Sequence, residues 1–252
     1  MDEWILHAPV AGLLFARCGG LLAVVPPLNV RGFPVLLRLG IAAVLAIALL
    51  PTVEVAPGLE ALSPAGYLAL LLQEAALGLT AGLAAALVYW SFLIAGQLLD
   101  SILGAGDAAA RAQGRGPLAG LIYLIAAAAL VAADGHHWLL AALARGMQTL
   151  PPGGGWSVAG LAGVPEAAGV MLWTGVALAA PALAAIYVAE GALAAFDRIA
   201  PGLGLAEAGP AVRWTSGLLG LIVSAPLLAG VAVEQGLRAA QAIEVAFRLL
   251  AG

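Results

Sequence analysis

The chain has 252 residues, of which 63% are hydrophobic and 10% charged, and its formal net charge is −4. Water-soluble domains carry about a quarter charged residues, so this composition excludes a globular fold in water and makes a membrane the principal solvent. All ten basic residues are arginine, and they are scattered rather than clustered, which removes nucleic acid from the candidate partners.

A helix needs about 20 apolar residues to cross a hydrocarbon core roughly 30 Å thick. Runs of that order recur near 8–28, 36–51, 67–99, 118–133, 167–189 and 214–233, with a shorter apolar stretch at 136–150. They predict an all-α integral membrane protein with about six hydrophobic helices. Gly and Pro mark the gaps, at Pro26-Pro27, Pro51, Pro57-Gly58, Pro151 to Gly155 and Pro201-Gly202. No fixed-period repeat or separate soluble segment interrupts the pattern, so residues 1–252 read as one membrane-embedded domain.

The first span follows Met-Asp-Glu-Trp, which lacks the positive start of a secretory signal, so the span is expected to be retained. Its lone Cys18 has no intrachain disulfide partner and reads as packing material. Arg17 lies near the middle of the same span, where a charge costs about 2.5–3.5 kcal/mol on insertion. Two readings stand for it: an internal ion pair with a carboxylate such as Glu74, or a conduit-lining or assembly contact. Glu74 and Asp197 lie nearer segment ends and are expected at the interface.

Arg31 and Arg38 follow the first span, Arg111 and Arg115 the third, and Arg198 and Arg213 the fifth, which by the positive-inside rule places both termini outside; Arg238 and Arg248 run against that count. The third segment, 67–99, is roughly 50 Å long if wholly helical, more than the membrane core, so it must tilt, bend or project. Its Gly78 and Gly82 form a small-xxx-small face that admits another helix closely. The stretch from Gly104 to Pro117 is the most polar between two long spans. Its small residues make it a flexible segment of low bulk, either an ordinary connector or a moving part.

Asp134-Gly-His136-His137-Trp138 draws notice as a metal site. Adjacent histidines on a helix point about 100° apart, and no acidic residue has metal-ligand spacing, so the stretch is read as a polar turn and no metal ligand is assigned. The tail near 234–252 places Leu237, Ala240, Ile243, Phe247 and Leu250 at helical spacing, an amphipathic helix that either rests on the membrane surface or docks on a partner. Gly-x-Ser-x-Gly, Cys-x-x-Cys and a Gly-rich loop ending in Lys are all missing, so neither a catalytic residue nor a cofactor is expected.

Taken in order, several short matches resemble the FliR/SctT family of type III export-gate subunits over nearly the whole chain. Leu14-Phe-Ala-Arg17, Pro26-Pro27 and Arg38-Leu-Gly resemble that family's first hairpin. Glu74-Ala-Ala-Leu-Gly78-Leu resembles the entry to its long third segment, and Gly96-Gln97-Leu-Leu-Asp100 the exit. Asp134-Gly-His136, the later Leu150-Pro151, and Ala200-Pro201 with Pro210 and Arg213 resemble the family's remaining motifs. Two departures accompany these matches: Asp107-Ala108 stands where the family has Asp-Pro, and Gly202-Leu203-Gly204 where it has Gln-Leu-Asn.

The resemblance implies helical hairpins in a hetero-oligomeric gate of the bacterial inner membrane, at the flagellar basal body. FliP-type and FliQ-type subunits, an FlhB-type partner, membrane lipid and exported unfolded proteins are the implied partners. It further implies a pore-plugging role for Gly104, Gly106, Asp107, Arg111, Gly114, Arg115, Gly116 and Pro117. Arg17, Glu74, Gly78, Gly82, Pro201 and Arg213 become candidates for assembly or conduit roles. The injectisome version of the apparatus remains an alternative, as does a small secondary transporter using Arg17, Glu74 and Glu190 as its site.

Overall fold

Helix is the only regular secondary structure among the described residues of the computed structural model, which are 2–25, 33–53, 59, 62–109, 116–155, 157, 164–201 and 204–251. The α-helices are α1 (Asp2–Val24), α2 (Val35–Leu49), α3 (Pro64–Leu103), α4 (Pro117–Ala132), α5 (Gly135–Thr149), α6 (Val164–Ile199) and α7 (Gly209–Ala251). Short 3-10 turns at Leu50–Thr52 and Leu205–Ala208 complete the set. Four helical spans are long and apolar enough to cross a membrane, or five if α4 and α5 together make one. The protein is therefore an all-α membrane protein.

About six spans are expected from the apolar runs, and the difference arises at the short ones. Taken singly, α4 and α5 hold 16 and 15 residues, each short of a full crossing. The long helices overrun their apolar runs instead. With 40 residues, α3 is about 60 Å long, twice the hydrocarbon core. The tail at 234–252 is not a separate element; it is the last part of α7, a helix of 43 residues.

Local chemistry sets the ends of α3. Ser63 precedes Pro64, and its hydroxyl accepts a hydrogen bond from the Gly66 N–H at 3.2 Å, an N-cap that satisfies one of the orphan donors of the first turn. At the other end Gly104 takes φ +67°, and the Ala105 N–H returns to the Asp100 carbonyl at 2.9 Å. This is a Schellman stop, in which glycine adopts the left-handed backbone that a Cβ disfavours.

The chain divides into two compact units. The first comprises 1–88, 134–167 and 235–252. Here α1 packs on α2 and, more closely, on the first part of α3. A Cβ at Gly78 would overlap the Arg17 carbonyl oxygen, and one at Gly82 would lie 2.7 Å from the Leu21 carbonyl oxygen. The small-residue face read from the sequence is thus the seat of α1, which brings the two backbones into direct contact. In the same unit Gly146 of α5 receives the ring of Phe247 from α7, and Phe247 is fully buried together with Ile243 and Ala239.

The second unit comprises 89–133 and 168–234. Gly96 of α3 lies against Ala119 of α4, Gly175 of α6 against Ser91 and Ile94 of α3, and Gly220 of α7 against Ala182 of α6. Leu99, Ile122, Leu130, Ala179 and Ile186 are buried between them. Large apolar side chains remain outside in both units: Leu36 of α2 is 83% exposed, Trp173 of α6 75% and Val223 of α7 80%. Surfaces of this kind belong against lipid or another protein and not against water.

Candidate functional site

Two polar centres are buried in this apolar framework, one in each unit. In the first unit the centre is Arg17 of α1 with Glu74 of α3, whose side chains are both 0% exposed. The Arg17 Nε donates to Glu74 Oε2 at 2.5 Å, and its Nη1 donates to the Leu150 carbonyl at 2.6 Å. The other carboxylate oxygen, Oε1, accepts the Gly153 N–H at 2.8 Å. The guanidinium carbon stands 5.5 Å from the centroid of the Phe247 ring, within cation–π range.

The turn after α5 is what lets the backbone serve these two charges. Gly153 takes φ +81°, a conformation easy for glycine alone, within the turn that offers its N–H to Glu74. One residue on, the Gly154 carbonyl accepts from Gln73 Nε2 at 2.7 Å. Arg17, Gln73 and Glu74 therefore hold the turn at 150–154 against α1 and α3. Only Arg17 Nη2 finds no hydrogen-bond partner among the described residues of this centre.

Of the two sequence readings for Arg17, the internal ion pair is the one observed. Glu74 is fully buried, about three turns inside α3, which begins at Pro64. Both members are buried, and all their polar atoms but Arg17 Nη2 are engaged by fixed donors and acceptors among the described residues. The pair acts as a brace.

In the second unit the centre is Asp100, only 1% exposed, in the last turn of α3. Its Oδ1 accepts the Leu118 N–H at 3.0 Å and its Oδ2 the Ala119 N–H at 2.9 Å. Those are orphan donors of the first turn of α4, where Pro117 stands at the start and Gly116 has no side chain to cap with. A Cβ at Gly116 would overlap the Asp100 carboxylate. Asp100 thus pins the start of α4 beside the end of α3, closing the stem of the connection that spans 104–116.

Within that connection Gly104 and Gly106 take φ +67° and +72°, Asp107 is exposed, and Gly116 and Pro117 form the entry to α4. Arg111, Gly114 and Arg115 lie outside the described residues. Pro201 is exposed in a short 3-10 segment after α6, and Arg213 of α7 pairs through Nε with Glu190 of α6. Gly78 and Gly82, as above, seat α1.

Reading the residues alone passes over Asp100 as a functional group and notices it only as part of a motif. A physical signal was present: an acid in the last turn of a helix faces the negative end of the macrodipole, so an apolar stretch that ends on Asp calls for a set of donors elsewhere. The N-terminus of the next helix, beginning at Gly116-Pro117, is the nearest such set in the chain.

The chain is similar to known proteins over most of its length. A family model described as bacterial export proteins, family 1, matches residues 8–237. The chain is 25% identical over 219 residues, 85% of its length and 83% of the relative's, to the flagellar biosynthetic protein FliR of Pectobacterium carotovorum subsp. carotovorum. It is 32% identical over 146 residues, 56% of its length and 55% of the relative's, to the flagellar biosynthetic protein FliR of Bacillus subtilis strain 168.

Proposed function

This chain belongs to the bacterial export proteins, family 1, and on that premise we propose that it is a subunit of the type III protein-export gate that builds the flagellum. It sits in the bacterial inner membrane and helps form the channel through which unfolded flagellar proteins leave the cytoplasm. The observation that carries this reading is the family match across nearly the whole chain, together with two relatives named for flagellar biosynthesis. Those names also favour the flagellar apparatus over the injectisome.

Physical features support a role inside an assembly. Apolar side chains as exposed as Leu36, Trp173 and Val223 call for sister subunits or lipid to cover them, and FliP-type and FliQ-type subunits with an FlhB-type partner are the proposed neighbours. The connection from Gly104 to Pro117 is the proposed closure of the pore. Small residues let it give way to a passing chain, while Asp100 keeps its two ends together. The role is that of a gate component and not of an enzyme; the driving energy lies in other parts of the apparatus.

A secondary transporter would need Arg17, Glu74 and Glu190 available to a solute. Each is already engaged within its own unit, Arg17 with Glu74 and Glu190 with Arg213, which weighs against that reading. The gate is tested by deleting 106–115 and measuring leakage of small solutes through cells that assemble the complex. Increased leakage is expected; unchanged leakage with normal assembly removes the closure role.

A further inference from the structure

Asp134, His136 and His137 stand at the start of α5. Both histidines lie in its first turn, since the helix begins at Gly135, and Asp134 before it takes φ 55°, the one positive φ outside glycine among the described residues. One donor atom from each of the three side chains lies within 4.8 Å of the others. Asp134 Oδ1 is 3.8 Å from His137 Nδ1, and the two imidazole rings are tilted by 37° with centroids 4.1 Å apart.

The carboxylate is also spared the task expected of it. An Asp at a helix N-cap ordinarily accepts a backbone N–H of the first turn, yet Asp134 makes no such side-chain bond. The left-handed backbone, which costs a non-glycine residue about 1 kcal/mol or more, accompanies a carboxylate turned toward the histidines instead of the helix amides.

From this we propose that Asp134, His136 and His137 form a binding site for a divalent transition-metal ion of the zinc class. Two imidazole nitrogens are borderline donors, and with one harder carboxylate oxygen they suit Zn²⁺ and its neighbours better than Mg²⁺ or Ca²⁺, which take oxygen ligands throughout. Bonds of about 2.0–2.2 Å on a tetrahedron place the donor atoms about 3.3–3.6 Å apart. The side chains of His137 and Asp134 are 67% and 76% exposed, so they close that gap by rotation without moving the backbone. Three protein ligands leave a fourth position for water. Bound metal would tie the turn before α5 to the first turn of the helix.

The test uses the full-length chain purified in detergent through an affinity tag free of histidine, titrated with Co²⁺ followed by its visible absorption, then with Zn²⁺ in competition. One saturable equivalent per chain is expected, with at least a tenfold weaker affinity in His136→Ala and in His137→Ala, and a smaller loss in Asp134→Asn, which keeps the left-handed backbone accessible. His7→Ala, which changes the one remaining histidine, should bind as the parent does. Absence of saturable binding, or equal binding by the His136→Ala/His137→Ala double variant, overturns the site.

Discussion

Replacing Arg17 by leucine removes one half of an ion pair that has no water to fall back on. Both side chains are fully buried, so Glu74 is left charged in an apolar interior. Breaking a buried pair from one side costs about 3–5 kcal/mol, and loss of the guanidinium from above Phe247 adds about 0.5–2 kcal/mol. Glu74→Leu should be similarly damaging, since it strands the arginine. The double variant Arg17→Leu/Glu74→Leu strands no charge. Its remaining deficit is the lost contact over Phe247 and the Leu150 carbonyl and Gly153 N–H, unsatisfied groups worth about 1–3 kcal/mol each. The double should therefore unfold less readily than either single, and far less readily than the sum of the two.

Thermal unfolding of the detergent-solubilised chain, read by the fraction that stays monodisperse after heating, measures all four proteins in one series. Should Arg17→Leu melt with the parent, or should the two single effects simply add in the double, the brace is refuted. Normal melting combined with lost flagellar export would restore the conduit reading of Arg17.

Two further outcomes follow from the packing and the loop stem. Gly78→Leu drives a side chain into the Arg17 carbonyl and the Leu21 amide and should cost about 1–3 kcal/mol or more through overpacking, seen as poor recovery of monodisperse chain. Gly40→Leu, on α2 with open space around the position, should be recovered like the parent, and equal recovery of the two variants would contradict the seat of α1. Asp100→Ala leaves two N–H donors of α4 without their acceptor, a loss of about 1–2 kcal/mol by the measure of N-caps. Limited trypsinolysis after Arg111 and Arg115 should then run faster than in the parent, and an unchanged rate would show that Asp100 does not hold the stem.

The sequence alone determined the solvent, the helical class and most of the helix positions. Apolar runs of membrane length with few charges leave the backbone no way to satisfy its hydrogen bonds except within helices or a closed barrel, and nothing in the strand-like period competes. Arg17 announced itself for the same reason, because an isolated charge in such a run has to be answered. Gly78 and Gly82 were legible as a packing face by their spacing.

Tertiary structure decided what answers the charges. Arg17 meets Glu74 from 57 positions away and the Leu150 carbonyl from 133, separations over which local periodicity carries no information. Asp100 meets the amides of Leu118 and Ala119 from 18 and 19 positions away, across the end of one helix and the start of the next. The donors at Asp134, His136 and His137 lie within 4.8 Å of one another, with Asp134 outside the right-handed backbone. Spacing along a chain reports which face of a helix a side chain occupies; where helices end, and what lies opposite them, is set by close packing of distant segments and by the need to pair every polar group withdrawn from water.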